Sequence, residues 1–172
     1  MSAIEQQVHA APPVAAEQSA AHPGERTGED LCQFVICRIG SEEFAVDVLS
    51  VQEINRIAEV TRVPKTPPYV EGVINLRGRI IPVLDLRKLF GLTGAKQTTQ
   101  TRIVVVSVQS RLVGLVVDSV EEVLRVPKSA IEPPPSVGTM AGSEFTQGVG
   151  RIEDRLLILV DLNRLLLARE AA

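Results

Sequence analysis

The sequence predicts an all-β protein made of two packed five-stranded units with short helices, and three observations point to it. From Leu31 onward, short apolar runs such as "QFVICRIG", "EEFAVDV", "GVINLR" and "RIIPVLDL" recur between Gly, Pro, Ser, Asp or Glu. Many short strands at regular spacing are the pattern of a sandwich or barrel. Apolar residues make up 45% of the chain but aromatics only 3%, so Val, Ile and Leu must fill the core, and β-branched side chains favour strands. The third observation is an internal repeat. A shift of 69 residues lays "SVQEI" (50–54) on "SVEEV" (119–123) and "FVICRI" (34–39) on "IVVVSV" (103–108).

A shift of 76 lays "EGVINLRGRIIPVLDLRKLF" (71–90) on "QGVGRIEDRLLILVDLNRLL" (147–166), with six of the twenty pairs identical. The change of offset falls in the connector, where the second copy carries "SAIEPPPSVGTMAGSEF". The body, 31–172, therefore reads as two copies of a unit of about 60–70 residues, placed at about 31–95 and 100–168. A unit of that size buries too little surface to be robust alone, so the copies are expected to pack together, with exchange of strands between them possible. Two short helices are expected, "DLRKLF" and "DLNRLLLARE", opened by Asp85 and Asp161 as N-caps. Residues 1–30 are rich in Ala, Pro, Glu, Gln and Ser without apolar periodicity, the composition of a disordered tail.

Composition removes several classes of function. The net charge of −3 gives no strong pull toward nucleic acid. No apolar run approaches the roughly 20 residues that span a bilayer, and the N-terminus, with Glu5 and no apolar core, does not read as a signal peptide. A cytoplasmic protein is expected. Cys32 and Cys37 lie five apart in one predicted strand and so face opposite sides. They read as reduced, structural thiols, and two thiols make no zinc site.

Catalysis finds no players. The only histidines, His9 and His22, sit in the tail, and Ser50, Ser107 and Ser119 have no base beside them. The acidic pairs Glu42–Glu43, Glu121–Glu122 and Glu153–Asp154 are sequence neighbours, which in strands face opposite ways and read as solvated edges. No Gly-Lys-Ser phosphate loop is present, and no metal or cofactor is expected. Binding of single-stranded nucleic acid, the alternative for a small barrel, wants aromatic platforms in a basic groove. The aromatics Phe34, Phe44, Tyr69, Phe90 and Phe145 are scattered, and Arg77, Arg79, Arg87 and Lys88 form only a local basic cluster.

Protein binding remains. "EGVINLRGRIIPVLDLRKLF" reads as a hairpin with Arg77–Gly78 in its turn, Gly78 tolerating positive φ. The matching turn of the second copy holds Glu153 and Asp154, so the two tips differ in charge. Val51 with Ile54, and Val120 with Val123, give apolar patches expected in the bend between second and third strands, flanking one groove if the units pack about a pseudo-twofold axis. Glu53, an acid in an apolar run, wants a cation, and Arg77 is the expected partner. Such a pair mainly orients the arginine.

These same segments carry a resemblance. "FAVDVLSVQEI", "TRVPKTPPYVEGVINLRGRIIPVLDLRKLFG", "LVGLVVDSVEEVLRV" and "GVGRIEDRLLILVDLNRLL" are similar, in order and spacing, to the CheW-type chemotaxis adaptors over about residues 31–168. The resemblance implies two SH3-like five-stranded barrels, no catalytic activity and no cofactor. It implies a scaffold that bridges the cytoplasmic tips of chemoreceptors to the regulatory domain of the histidine kinase CheA, at the inner face of the membrane within receptor arrays, without membrane insertion. By position, Arg77 and Glu53 match family residues of receptor coupling, with Val51 in the same segment and Ile54 beside it. Val120 and Val123 match the groove where the receptor helix docks. The kinase contacts are not assignable to residues. An adaptor for a related output, pili or biofilm control, is the alternative within the class.

Overall fold

The structure is a computed structural model that describes residues 30–57, 59–92, 96–134 and 142–170, with the side chains of 168–170 left aside. The expected 1–30 tail lies, apart from Asp30, outside the described residues. The first half contains β1 (Leu31–Ile39), β2 (Glu42–Asp47), β3 (Val51–Arg56), β4 (Val70–Leu76), β5 (Arg79–Asp85) and α1 (Leu86–Leu89). The second contains β6 (Arg102–Val108), β7 (Arg111–Val117), β8 (Ser119–Pro127), a two-residue β9 (Ile131–Glu132), β10 (Thr146–Ile152), β11 (Arg155–Val160) and α2 (Leu162–Glu170).

The strands form one six-stranded sheet, in the order β8-β1-β2-β11-β10-β9, and one five-stranded sheet, in the order β3-β6-β7-β5-β4. Each sheet thus takes a hairpin from the other half. β1–β2 sits among the second-half strands, and β6–β7 among the first-half strands. Most pairings are antiparallel, and the two parallel ones, β11 with β2 and β5 with β7, are joints between the halves.

Three apolar clusters follow from this weave. Ile74, Ile81, Val83, Ile103, Val105 and Val116 fill the five-stranded barrel. Phe34, Ile36, Ala45, Val126, Leu157 and Leu159 fill the six-stranded one. The largest cluster lies between the sheets, with Val35, Cys37, Phe44 and Val46 facing Val104, Val106, Val113 and Leu115, and α1 and α2 contributing Leu86, Leu89, Leu162 and Leu165. β1 and β6 therefore serve two cores at once, alternate residues going to each, and this explains their unbroken apolar runs. Cys32 packs on the barrel cluster and Cys37 in the central one, on opposite faces as their spacing requires. Burial pushes the Cys37 thiol up to about 12, Glu121 adding to it.

Local chemistry sets the ends of the elements. Asp85 Oδ1 accepts from the Arg87 amide at 2.9 Å, and Asp161 Oδ1 from the Arg164 amide at 3.1 Å, so both aspartates cap their helices. The basic cluster foreseen around Arg87 does not form. Arg87 is buried against Asp118, and Lys88 is held by Glu71 at 2.5 Å, because α1 lies on the protein surface of β7 rather than beside the hairpin tip. Among the described residues, no helix is long and apolar enough to cross a membrane.

Two positions test this description. Gly72 lies at φ +144° in β4 where the Thr61 strand-like segment bridges Val73, and an added Cβ would sit 2.1 Å from the Thr61 carbonyl oxygen. Gly72→Ala is expected to cost about 1–3 kcal/mol, lowering Tm by roughly 2–4 °C per kcal/mol; a thermal melt that matches the parent chain would refute the close approach. Desolvation, with Glu71 nearby, raises the Asp85 pKa above its ordinary 3.8. Its contribution to stability is therefore complete below that ordinary value and is lost as pH rises through the raised one. Asn keeps the capping acceptor without the charge, so Asp85→Asn should melt at or above the parent at neutral pH, the gap closing toward pH 3.8. Asp85→Ala should lose about 0.5–2 kcal/mol.

Candidate functional site: a hairpin tip beside two bulged strands

The β4–β5 hairpin pairs Leu76 with Arg79, leaving Arg77 and Gly78 as a two-residue turn. Both lie at positive φ, 51° and 83°, which is the backbone a primed hairpin turn demands. Glycine adopts it freely; for Arg77 the left-handed region costs about 1–3 kcal/mol. Asn75 Oδ1 offsets part of that cost by accepting from the Gly78 amide at 2.9 Å. The tip is pinned by that bond, and it reaches across to β3, where Arg77 Nη1 donates to Glu53 Oε2 at 2.8 Å.

The pair expected from the sequence is present, and its exposure is uneven. The Arg77 side chain is 80% exposed and that of Glu53 only 21%. Glu53 is also gripped from its own strand, Asn55 Nδ2 donating to Oε1 at 2.5 Å. That bond chiefly lowers the Glu53 pKa; desolvation works against it, and the Arg77 bond and charge add to the lowering. The guanidinium is therefore anchored by one nitrogen on a fixed carboxylate, and the rest of it faces solvent.

The apolar candidates lie in strands and not in the bend, which is confined to the 3-10 turn Val48–Ser50 and is closed by Asp47 accepting from the Leu49 amide. Val51 already pairs with Val106. Each of the two strands carries one extra residue at the same place in the repeat, Gln52 in β3 and Glu121 in β8. The register shows the effect. Val51 stands opposite Val106 and Ile54 opposite Val104; Val120 stands opposite Cys37 and Val123 opposite Val35. Val104, Val106, Cys37 and Val35 all belong to the central cluster. A bulge therefore puts residues three apart on one face, where an unbroken strand would separate them. Val51 and Val120 are half-buried against the cluster, whereas Ile54 and Val123 are 41% and 56% exposed.

The acidic pairs read as solvated edges are only partly so. Glu43 is 15% exposed and takes Arg155 in a two-point grip, Nε to Oε2 at 3.1 Å and Nη2 to Oε1 at 2.8 Å. Arg155 Nη1 also donates to Glu122 Oε1 at 2.7 Å. Glu121 meets Arg38 Nε at 3.4 Å. Neighbouring acids engage the same network because the bulge at Glu121 breaks the alternation that should have parted them. Glu122 is the repeat counterpart of Glu53, so both copies place an acid just beyond the bulge and give it an arginine. A sequence signal existed, since Glu53 and Glu122 coincide in the repeat, but the bulge itself leaves none. Among the described residues, no group of three or more His, Cys, Asp or Glu is placed to hold a metal ion.

The described residues form a duplicated barrel pair with an exposed charged tip and two partly exposed apolar pairs, Val51 with Ile54 and Val120 with Val123, surfaces suited to binding another protein. A family model described as CheW-like domain matches residues 33–170, and the chain belongs to that family. The chemotaxis protein CheW of Klebsiella aerogenes is 40% identical over 149 residues, covering 87% of this chain and 88% of that protein. Protein FrzA of Myxococcus xanthus is 34% identical over 117 residues, 68% of this chain and 72% of that one. The crystal structure of scaffolding protein TtCheW from Thermoanaerobacter tengcongensis superposes with a TM-score of 0.72 at 35% identity, covering 76% of this chain and 89% of that one. The chain is a chemotaxis coupling adaptor, and its family is non-catalytic.

The double grip on Glu53 has a titration signature. Its folded pKa lies below the ordinary 4.5, so the interaction is fully present above that value and is lost as pH falls through the lowered one. In a carboxyl-carbon NMR titration, Asn55→Ala should raise the Glu53 pKa more than Arg77→Gln does. The reverse order would show that Arg77, and not Asn55, holds the carboxylate.

Proposed function

We propose that this adaptor couples the cytoplasmic tip of a chemoreceptor to the regulatory domain of the kinase CheA, on the cytoplasmic face of the membrane. The receptor's helical hairpin lays its apolar side along the patches of Val51, Ile54, Val120 and Val123, and Arg77 meets a polar or acidic group of the receptor at the rim. Helix-in-groove docking of this kind reads anchors spaced by helical turns, which suits two short apolar patches better than one flat sheet face. The kinase binds at a separate barrel end. Each contact is modest alone, and linkage of many adaptors in an array raises the effective concentration of each partner.

The single observation that carries this reading is Arg77. A cationic side chain 80% exposed, on a backbone conformation unfavourable to it and anchored through one nitrogen only, is held ready for a further acceptor. The FrzA likeness leaves the output open among chemosensory pathways, and the recognition chemistry is the same in each.

Arg77→Glu in the full chain, assayed separately against an isolated receptor signalling tip and against the kinase regulatory domain, is the deciding experiment. Receptor affinity should fall tenfold or more, equivalent to about 1.4 kcal/mol, with kinase binding and the circular-dichroism spectrum retained. Unchanged receptor affinity would remove Arg77 from the interface.

A further inference from the structure

We infer that Arg155 is a positioning residue for the receptor face. It ties the bulged strand β8 to β2 and so keeps Val120 and Val123 on one side of the sheet. The inference rests on the receptor-docking reading above and deepens it.

β8 is the terminal strand of its sheet, hydrogen-bonded to β1 alone among the described strands. A terminal strand with a bulge has a cheap alternative, in which the extra residue is absorbed and the register slips by one. Slippage by one residue turns every following side chain to the other face. Here Val123 would leave the face it shares with Val120 and the patch would vanish; a slip that ran on along β8 would also turn Val126 out of the barrel core, so the slip at issue is one confined to the bulge.

Burial of Val126, with Leu124 packed beside it, fixes the far part of β8; at the bulge itself the side chains around it hold the register. Glu121, the extra residue, accepts from Ser119 Oγ at 2.6 Å and meets Arg38 of β1. The next residue, Glu122, is bound by Arg155 of β11, whose other two nitrogens occupy both oxygens of Glu43 on β2. Arg38 also approaches Glu43 at 3.7 Å. The network thus crosses four consecutive strands, β8, β1, β2 and β11, and Arg155 is its only member joined to two carboxylates by close hydrogen bonds. With three guanidinium nitrogens engaged and 32% of its side chain exposed, Arg155 is a fixed strut. In the first copy the equivalent acid, Glu53, is bound from the tip by Arg77, and the residue matching Arg155 in the repeat is Arg79. The same acid has been given two different arginines. One is displayed and the other is locked.

The test uses the full chain with Arg155→Gln, Arg155→Lys and Glu122→Ala. The readouts are affinity for an isolated receptor signalling tip, affinity for the kinase regulatory domain, Tm, and the methyl NMR shifts of Val120 and Val123. Arg155→Gln should weaken receptor binding about tenfold and move both methyl signals, with kinase binding kept. Arg155→Lys should rescue little, because an ammonium cannot grip Glu43 at two points while holding Glu122. Glu122→Ala, which removes the acceptor and so cuts only the β8 leg, should reproduce the methyl shifts with a smaller loss of Tm, and it decides the matter if Arg155→Gln fails to fold. Unmoved methyl signals in a folded variant would overturn the inference. So would receptor and kinase binding that fall together in step with Tm, since that is the behaviour of a purely structural ion pair. If the parent chain itself does not bind the receptor tip, the function proposed above fails, and the methyl shifts alone then decide whether Arg155 sets the strand.

Discussion

Everything in this molecule depends on one apolar layer between two sheets, to which the two halves contribute matching residues. Val35, Cys37, Phe44, Val46, Leu84 and Leu86 from the first half meet Val104, Val106, Val113, Leu115, Val160 and Leu162 from the second, each the counterpart of one in the other set under the repeat shifts of 69 and 76. Burying one such side chain contributes about 1.5–3 kcal/mol, so the layer outweighs any ion pair on the surface. It also accounts for the hairpin exchange. A β1–β2 hairpin apolar on both faces must find cover on both, and it does so by entering the barrel of the other half with one face and the shared layer with the other. Once that choice is made, the two barrels are not separable bodies, and the edges of the layer become fixed places where a partner can be met.

The edges are where the repeat stops being decorative. β3 and β8 leave the shared layer at Val51 and Val120, and each then spends one extra residue. Parity does the rest. The bulge brings a second apolar residue, Ile54 or Val123, round to the same face, while the residue between, Glu53 or Glu122, turns to the opposite one and needs a cation. Apolar patch and acidic anchor are thus a single consequence of one insertion, repeated in both copies. Both apolar strips, and their fixed relation, come from the same local device.

Much of this was legible beforehand. Alternation and composition foretold strands, the two shifts exposed the duplication, and Asp85 and Asp161 marked the helix starts through the ordinary chemistry of capping. The Arg77–Glu53 pair was readable because a lone acid in an apolar run and a lone cation at a turn define each other. The exchange of hairpins was open but not decidable, since pairing between distant strands is set by which faces match and leaves no local mark. The bulges were invisible for a related reason: an inserted residue only shows against a known partner strand. Without them, Glu121 and Glu122 looked like solvent-facing neighbours, Val51 and Val120 were assigned to a bend, and Arg155 drew no notice. Arg87 misled in the opposite sense, because a charge near a turn gives no sign that a helix will bury it against Asp118.

The divergence of the copies is then more informative than their likeness. Both kept the bulge, and both kept the acid that follows it, as a fold under a common constraint must. They parted over which arginine holds it. In the second copy it is in the strand at Arg155, enclosed by Glu43 and Glu122, and the turn carries Glu153 and Asp154. In the first the strand position keeps an arginine, Arg79, yet the acid is held by a second one on the turn itself, Arg77, at a backbone conformation that glycine would adopt at no cost. A change that only preserved the ion pair had no need of that conformation, because an arginine at the strand position serves the acid equally well, as Arg155 shows. Placing it on the tip leaves the acid satisfied and exposes the cation, and it makes the two ends of a nearly twofold molecule chemically distinct.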